Sequence, residues 1–281
     1  MRKAALLLLL GLVAVQAGGA ATEARRYLPI AMRFLDRTHG FAELAPTTNC
    51  DSCRHRIQRT RDGGQTWQAT LLGHLPLPIA ERRFRATWRK GSRQDLVLAA
   101  VVDAKVAWAT WHAGKGTTAR LVVSQDGGRS WRKVKQPCVP AFAFYRPLVA
   151  AVSARHAWLL CLGQPGAGQQ NKALYETLNG RTWILRRDLK GGGYGHSLAF
   201  LPSGFGLLAE SRGGLLVTRD GGRKWGLARV TSPDVADPQA IGLFQPGLGL
   251  VLVRDDRSRR LIELYRTRDA GRKWSLLHVW R

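Results

Sequence analysis

Acidic side chains are few: 19 Asp and Glu stand against 44 Lys and Arg in 281 residues, a formal net charge of +25. A sum this positive repels itself and attracts polyanions or anionic membrane surfaces. Arginine outnumbers lysine several-fold, which a GC-rich genome would produce on its own, but codon choice does not account for the missing acids. After the first residues no apolar run is long enough to read as a transmembrane helix. No GxxxxGK(S/T) loop cradles a phosphate, and no second CxxC or HxxxH completes a zinc site, so neither a metal nor a cofactor is expected. The seven histidines, among them His39, His156 and His196, build no Ser/His/Asp case and read as structural. No helix of normal length is evident either.

What the chain does have begins at its start. Arg2 and Lys3 precede an apolar run from Ala4 to Val15, then small residues at Val15-Gln16-Ala17 and Gly19-Ala20-Ala21. This is the pattern of a signal peptide over residues 1–21, with one domain over 22–281. The plain alternative is an uncleaved anchor at the same face of the membrane. Export to the periplasm, cell envelope or medium is expected, and removal of Arg2 and Lys3 leaves +23. No Cys follows the run, so lipoprotein processing is not indicated. In an exported chain the four cysteines read as disulfides. Cys138 and Cys161 would tie neighbouring units together. Cys50 and Cys53 have CxxC spacing, without the histidine that haem attachment needs and without a thioredoxin-like βαβ context, so a short structural bridge is favoured over redox chemistry.

One octet organises the rest. TRDGGQTW (Thr60 to Trp67) returns as SQDGGRSW, TRDGGRKW and TRDAGRKW, and once shortened as TLNGRTW. Its defining positions are Thr60, Asp62, Gly64 and Trp67; Ser124, Asp126, Gly128 and Trp131; Thr177, Asn179, Gly180 and Trp183; Thr218, Asp220, Gly222 and Trp225; Thr267, Asp269, Gly271 and Trp274. Asp bonds local amides in a tight turn, Gly supplies positive φ, and Trp delivers a large apolar surface to the strand that follows. An aliphatic residue precedes each octet by three: Ile57, Leu121, Leu174, Leu215 and Leu264. Farther upstream come a small and a large residue, such as Ala107-Trp108 and Ala157-Trp158, and before those an apolar run that reads as a buried strand.

The tryptophans fall 64, 52, 42 and 49 residues apart, the scale of a four-stranded propeller blade. These octets resemble the Asp-box, or bacterial neuraminidase repeat, of sialidases, sortilin-type receptors and the photosystem II stability/assembly factor family. The resemblance implies an all-β propeller, with five four-stranded blades over about 27–72, 95–136, 144–189, 195–231 and 240–281. Residues 73–94 lengthen the first interval and leave six blades as the alternative. Gly163 to Gln170 and Lys190 to Gly195 read as loops between strands.

A carboxylate set repeated once per blade on peripheral turns cannot converge on one substrate, so the box Asp residues read as structural and the box Trp residues as packing between blades. A sialidase-like glycosidase is the alternative that the resemblance brings with it. It would need an arginine trio, a Tyr/Glu nucleophile pair, an acid Asp and an early (Phe/Tyr)-Arg-Ile-Pro motif. The nearest echo, Tyr145-Arg146-Pro147, lacks the Ile and sits in mid-chain. Among the acids outside the boxes, Asp36, Glu43, Asp103, Glu176, Glu210 and Glu263, no spacing gives a glycosidase pair.

One stretch stands apart, Glu81 to Arg93. It interleaves Arg82, Arg83, Arg85, Arg89, Lys90 and Arg93 with aromatic residues including Trp88, a mixture that fits an anionic polymer or an acidic partner surface. Its alternation equally fits a half-buried strand with solvated arginines. The chain therefore reads as an exported, monomeric, non-catalytic propeller. The resemblance to the assembly factors implies a protein client, with acidic envelope polymer or an anionic membrane surface as further partners. Nucleic acid is not expected, and the runner-up is a sialidase-like enzyme or a carbohydrate or polyanion binder.

Overall fold

The computed structural model describes residues 27–34, 36–46, 56–70, 96–111, 120–139, 145–230, 236–244, 247–255 and 262–280. These form five four-stranded antiparallel sheets, each contiguous in sequence and paired in sequence order. Blade 1 holds β1 (Tyr27–Phe34), β2 (Gly40–Pro46), β3 (Arg56–Thr60) and β4 (Gln68–Thr70), and blade 2 holds β5 (Leu96–Val101), β6 (Ala107–Trp111), β7 (Arg120–Ser124) and β8 (Arg132–Val134). Blade 3 comprises β9 (Leu148–Ala151), β10 (Ala157–Gly166), β11 (Gln169–Thr177) and β12 (Ile184–Leu189). Blade 4 comprises β13 (Tyr194–Phe200), β14 (Gly206–Ser211), β15 (Gly214–Thr218) and β16 (Gly226–Leu227). Blade 5 comprises β17 (Ala236–Phe244), β18 (Leu248–Asp255), β19 (Ile262–Thr267) and β20 (Ser275–Trp280). The fold is a five-bladed β-propeller, and no helix occurs among the described residues.

The cores lie between blades. Trp108, Leu121 and Val123 of blade 2 pack with Val149, Leu159 and Cys161 of blade 3. Trp158, Leu160 and Leu174 of blade 3 pack with Leu198, Phe200 and Leu208 of blade 4. Leu207, Leu215 and Val217 then meet Val251 and Val253 of blade 5. Blade 5 returns to blade 1 through Leu250, Leu252, Leu264 and Trp280 against Leu28, Ala42 and Leu44. That last junction shares no strand. It is held by side chains, with Trp67 and Trp280 ring centroids 5.3 Å apart and the Trp280 indole N–H donating to Gln58 Oε1 at 2.8 Å.

At two junctions the aliphatic residue before the box has a specific partner, and at a third Val217 of the same strand takes its place, 3.2 Å from where a Cβ on Gly271 would be. Leu264 Cδ2 lies 2.6 Å from where a Cβ on Gly64 would be, and Leu174 Cδ2 lies 2.3 Å from the same point on Gly222. The third strand of one blade thus packs on the box glycine of the next, a contact that only a residue without a side chain admits.

One sequence expectation is corrected. The stretch from Gly163 to Gln170 is mostly strand: β10 runs to Gly166 and β11 starts at Gln169. Only Ala167 and Gly168 turn the chain, both at positive φ (48° and 80°), the backbone of a two-residue hairpin whose twist matches the flanking strands.

Candidate functional site

The boxes occupy one face. In four blades the box amide donates to the turn between the first two strands: Gly63 to Thr38 O (2.8 Å), Gly127 to Lys105 O (2.9 Å), Gly221 to Gly204 O (3.0 Å) and Ala270 to Gly247 O (3.1 Å). In blade 3 the shortened box lies against the same turn, since a Cβ on Gly180 would fall 2.6 Å from Ala154 O. Antiparallel pairing then puts the hairpins between second and third strands, and the crossings from blade to blade, on the opposite face.

Within each box the hydroxyl and the carboxylate are spent on the turn. Thr60 Oγ1 donates to Asp62 Oδ1 at 2.7 Å and accepts from Gly64 N at 2.9 Å. Asp62 also accepts from the Thr66 amide at 3.0 Å and the Thr66 hydroxyl at 2.5 Å. Ser124 with Asp126, Thr218 with Asp220 and Thr267 with Asp269 repeat the hydroxyl-to-carboxylate bond at 2.8–2.9 Å. In the worn box, Asn179 Oδ1 takes over, accepting from Arg181 N (2.8 Å) and Thr182 N (2.9 Å). Slight burial pushes the Asp62 carboxyl up, but the hydrogen bonds from Thr66, Thr60 and Gln65 outweigh it and hold the group at about 2. For Asp126 the Ser130 hydroxyl leads in the same downward direction, again to about 2. Such groups are ionised turn clamps, unsuited to general acid work near neutrality.

The box tryptophans are half-buried wedges and not the deepest aromatics. Trp67 and Trp225 donate back to Gly64 O and Gly222 O, both at 3.0 Å. Trp183 reaches across to Lys135 O of blade 2 at 3.0 Å. Among the described residues the fully buried tryptophans are Trp108 and Trp158, on second strands.

A cavity of ≈ 810 Å³ opens on the opposite face between blades 3 and 4. Its lining residues are Tyr145, Arg146, Leu162, Pro165, Gln170, Tyr194, Gly195 and His196. A second cavity of ≈ 280 Å³ shares Arg146 and His196 and is lined also by Ala99, Leu148 and Ser197 of the first strands. Two phenol rings, aliphatic walls, one guanidinium and one imidazole make a site for an apolar group beside an anionic or hydrogen-bonding one. No carboxylate is among the described lining residues.

Behind that cavity lies a buried ion pair that sequence reasoning missed. Lys172 Nζ sits 3.0 Å from Glu210 Oε1, both side chains almost fully buried (1% and 2% exposed). The ammonium also donates to Gln170 O (2.7 Å), Gly191 O (2.9 Å) and Gly193 O (2.7 Å). Glu210 Oε2 accepts from Gly193 N at 3.2 Å, and Gln170 clasps Gly163 O and Gly195 N. Burial pushes the Glu210 carboxyl above its ordinary value, against the pull of Lys172. The pair fixes the Gly191–Gly195 crossing that leads into Tyr194 and His196. A lone Lys on a strand of alternating residues gives no sign of this in sequence.

Four of the other acids named above are held in separate local contacts. Glu176 binds His156 Nε2 at 2.8 Å and Arg186 Nε. Glu263 accepts from the Tyr265 hydroxyl at 2.7 Å, and Asp36 and Asp103 cap turns. Cys138, following β8, is bonded to Cys161 on β10, which joins blades 2 and 3 as the spacing implied. Cys50, Cys53, the segment from Arg82 to Arg93 and residues 1–21 lie outside the described residues. Among the described residues no group of three or more metal-ligating side chains occurs, and no helix is long and apolar enough to cross a membrane.

Comparison with known proteins adds the following. The BNR/Asp-box repeat model matches residues 58–69. No curated protein matches the chain in sequence. Among solved structures, YCF48 bound to D1 peptide is 17% identical, with 90% of this chain and 81% of that chain covered and a TM-score of 0.33. YCF48 from Cyanidioschyzon merolae is 16% identical over 90% of this chain and 86% of that one, with a TM-score of 0.34. The GH74 enzyme of Niastella koreensis is 16% identical, covers 89% of this chain and has a TM-score of 0.44, and the chain spans only 37% of its length. At these identities neither a binding role nor a glycosidase activity transfers. The chain is a five-bladed β-propeller in which the BNR/Asp-box repeat is matched in blade 1.

Proposed function

We propose that this propeller is a non-catalytic, exported scaffold that holds a segment of a protein client at the cell envelope. The observation that supports it most is the cavity between blades 3 and 4. It combines apolar walls from Leu162, Pro165, Tyr145 and Tyr194 with Arg146 and His196, and shows no carboxylate among its described lining residues. Glycoside hydrolysis ordinarily needs two carboxyl groups flanking the bond to be cut. A binding site needs shape, apolar area and a few fixed polar groups, which the Lys172 clamp supplies by holding the crossing in one conformation. The test is a photo-crosslinking amino acid placed at Tyr194, with a second at Arg223 on the box face as the comparison. A discrete client adduct from Tyr194 and none from Arg223, in protein that hydrolyses neither a fluorogenic sialoside nor xyloglucan oligosaccharides, is the expected outcome. Turnover abolished by Arg146→Gln would overturn the reading.

A further inference from the structure

The box face carries a second feature that the scaffold reading does not use. The second and sixth positions of each box are solvent-facing, and basic residues recur there: Arg61 in blade 1, Arg129 in blade 2, Arg181 in blade 3, Arg219 and Arg223 in blade 4, Arg268 and Arg272 in blade 5. Lys224 and Lys273 follow in the last two boxes, and the adjoining turns between first and second strands add Arg37, Lys105 and Arg155 in the other three blades. All twelve are exposed, against six carboxylates in the same turns, each bonded to backbone or hydroxyl groups of its own turn. In blades 1 and 2 two cations face two carboxylates each, so the excess of six lies in blades 3, 4 and 5, two per blade, and forms an arc over three adjacent blades.

We propose that this arc seats the protein on an anionic lipid bilayer, with the box turns of blades 3 to 5 against the headgroups and the cavity facing away. Box turns at the same end of three adjacent blades meet a flat charged surface together. Basic residues near such a surface each add to the attraction, and their contributions accumulate. The worn box supplies the second argument. Where other boxes place Arg61, Arg219 or Arg268, blade 3 places Leu178, 56% exposed, and Ile184 directly after the box Trp183 is 51% exposed. Exposed aliphatic groups among cations gain nothing from a soluble polyanion, while a bilayer interface buries them.

The chain's own repeats give substitutions that preserve the turn. Gln already stands at the second position (Gln125) and at the sixth (Gln65), where Gln65 Nε2 donates to Asp62 O as Arg223 and Arg272 donate to Asp220 O and Asp269 O, so Arg219→Gln, Arg223→Gln, Arg268→Gln and Arg272→Gln together remove four charges and keep the turn. A control removes four charges elsewhere through Arg187→Gln, Lys190→Gln, Arg229→Gln and Arg254→Gln. Co-sedimentation of the full chain with phosphatidylcholine vesicles containing about 30% phosphatidylglycerol should show binding at low salt, weakened about tenfold or more by the box-face variant and less than about twofold by the control. Melting temperatures of both variants verify folding. Leu178→Ser should reduce vesicle binding and leave heparin retention unchanged. Equal losses in the two variants, no binding of the wild type, or retention on heparin without retention on the vesicles would each overturn the proposal.

Discussion

The indole N–H of Trp158, on the second strand of blade 3, donates to the carbonyl of Gly221 in the box of blade 4 at 3.2 Å. Its ring stacks on Phe200 of blade 4 with centroids 4.2 Å apart and planes within 7°. A hydrogen bond and a ring stack from one side chain thus join the core of one blade to the turn of the next. One blade earlier Trp108 donates instead to Ser153 O, in the turn between the first two strands of blade 3, at 2.9 Å, and meets the box Trp183 edge-on with ring centroids 6.1 Å apart. Each buried second-strand indole thus ties its blade to the box face of the next.

This sets an order among the tryptophans. Trp158→Ala removes a fully buried ring and should cost about 3–5 kcal/mol. Trp225→Ala, in the best-preserved box but half-buried, should cost about 2 kcal/mol, in proportion to the smaller area withdrawn from water. Chemical denaturation of the two variants measures the difference. Equal costs would show that the box ring contributes more than its burial indicates.

Adjacent glycines in one box separate backbone strain from packing. Gly221 (φ 74°) has no atom within 4 Å of a built Cβ, whereas Gly222 (φ 91°) would meet Leu174 Cδ2 at 2.3 Å. Gly221→Ala should lose only the left-handed conformational penalty, about 1–2 kcal/mol. Gly222→Ala adds overpacking against blade 3 and should lose about 2–4 kcal/mol in all. A Gly222→Ala/Leu174→Ala pair that regains part of the loss in a mutant cycle would locate the clash where the structure puts it.

How much of this could be read from the sequence follows from what repeats. The octets, the aliphatic residue three before them and the small-large pairs recur in every unit, so five blades, their strand order and the turn role of Asp62 or Asp220 were legible, although residues 73–94 left six blades open. The cavity was not, because it is built from what differs between blades. Tyr145-Arg146 registered only as a broken motif, and Tyr194 and Gln170 lay in glycine-rich stretches that read as featureless connections. Their meaning depends on Lys172 and Glu210, 38 positions apart, meeting across two blades, and no local pattern encodes that distance. Burial of a charge is a tertiary fact.

The bridge between Cys138 and Cys161 closes a separation of 23 residues. On the chain-entropy model a loop of that size contributes about 3 kcal/mol by restricting the unfolded chain. Cys138→Ser/Cys161→Ser should lower stability by that order, with a cavity unchanged in its described lining. Non-reducing peptide mapping of the purified protein provides the direct check, and pairing of either residue with Cys50 or Cys53 would contradict the connectivity.

The buried pair of Lys172 and Glu210 gives the sharpest prediction, because its two halves should not behave additively. Lys172→Met leaves Glu210 without its cation and releases the carbonyls of Gln170, Gly191 and Gly193, so a loss of about 3–5 kcal/mol is expected. Lys172→Met/Glu210→Leu removes both charges and should be much less destabilising than the single change, with the freed carbonyls setting the residue of the cost. The pH dependence carries a definite sign. A carboxyl raised in the folded state favours folding when protonated, so its contribution is fully present below the unfolded value of about 4.3 and is lost as pH rises from there through the folded value. Subtracting the double variant's stability-versus-pH curve from that of the wild type should therefore leave a component that declines as pH climbs through that window. A difference curve that instead rises over the same range would mean that Lys172 outweighs burial and holds Glu210 as a conventional depressed carboxylate.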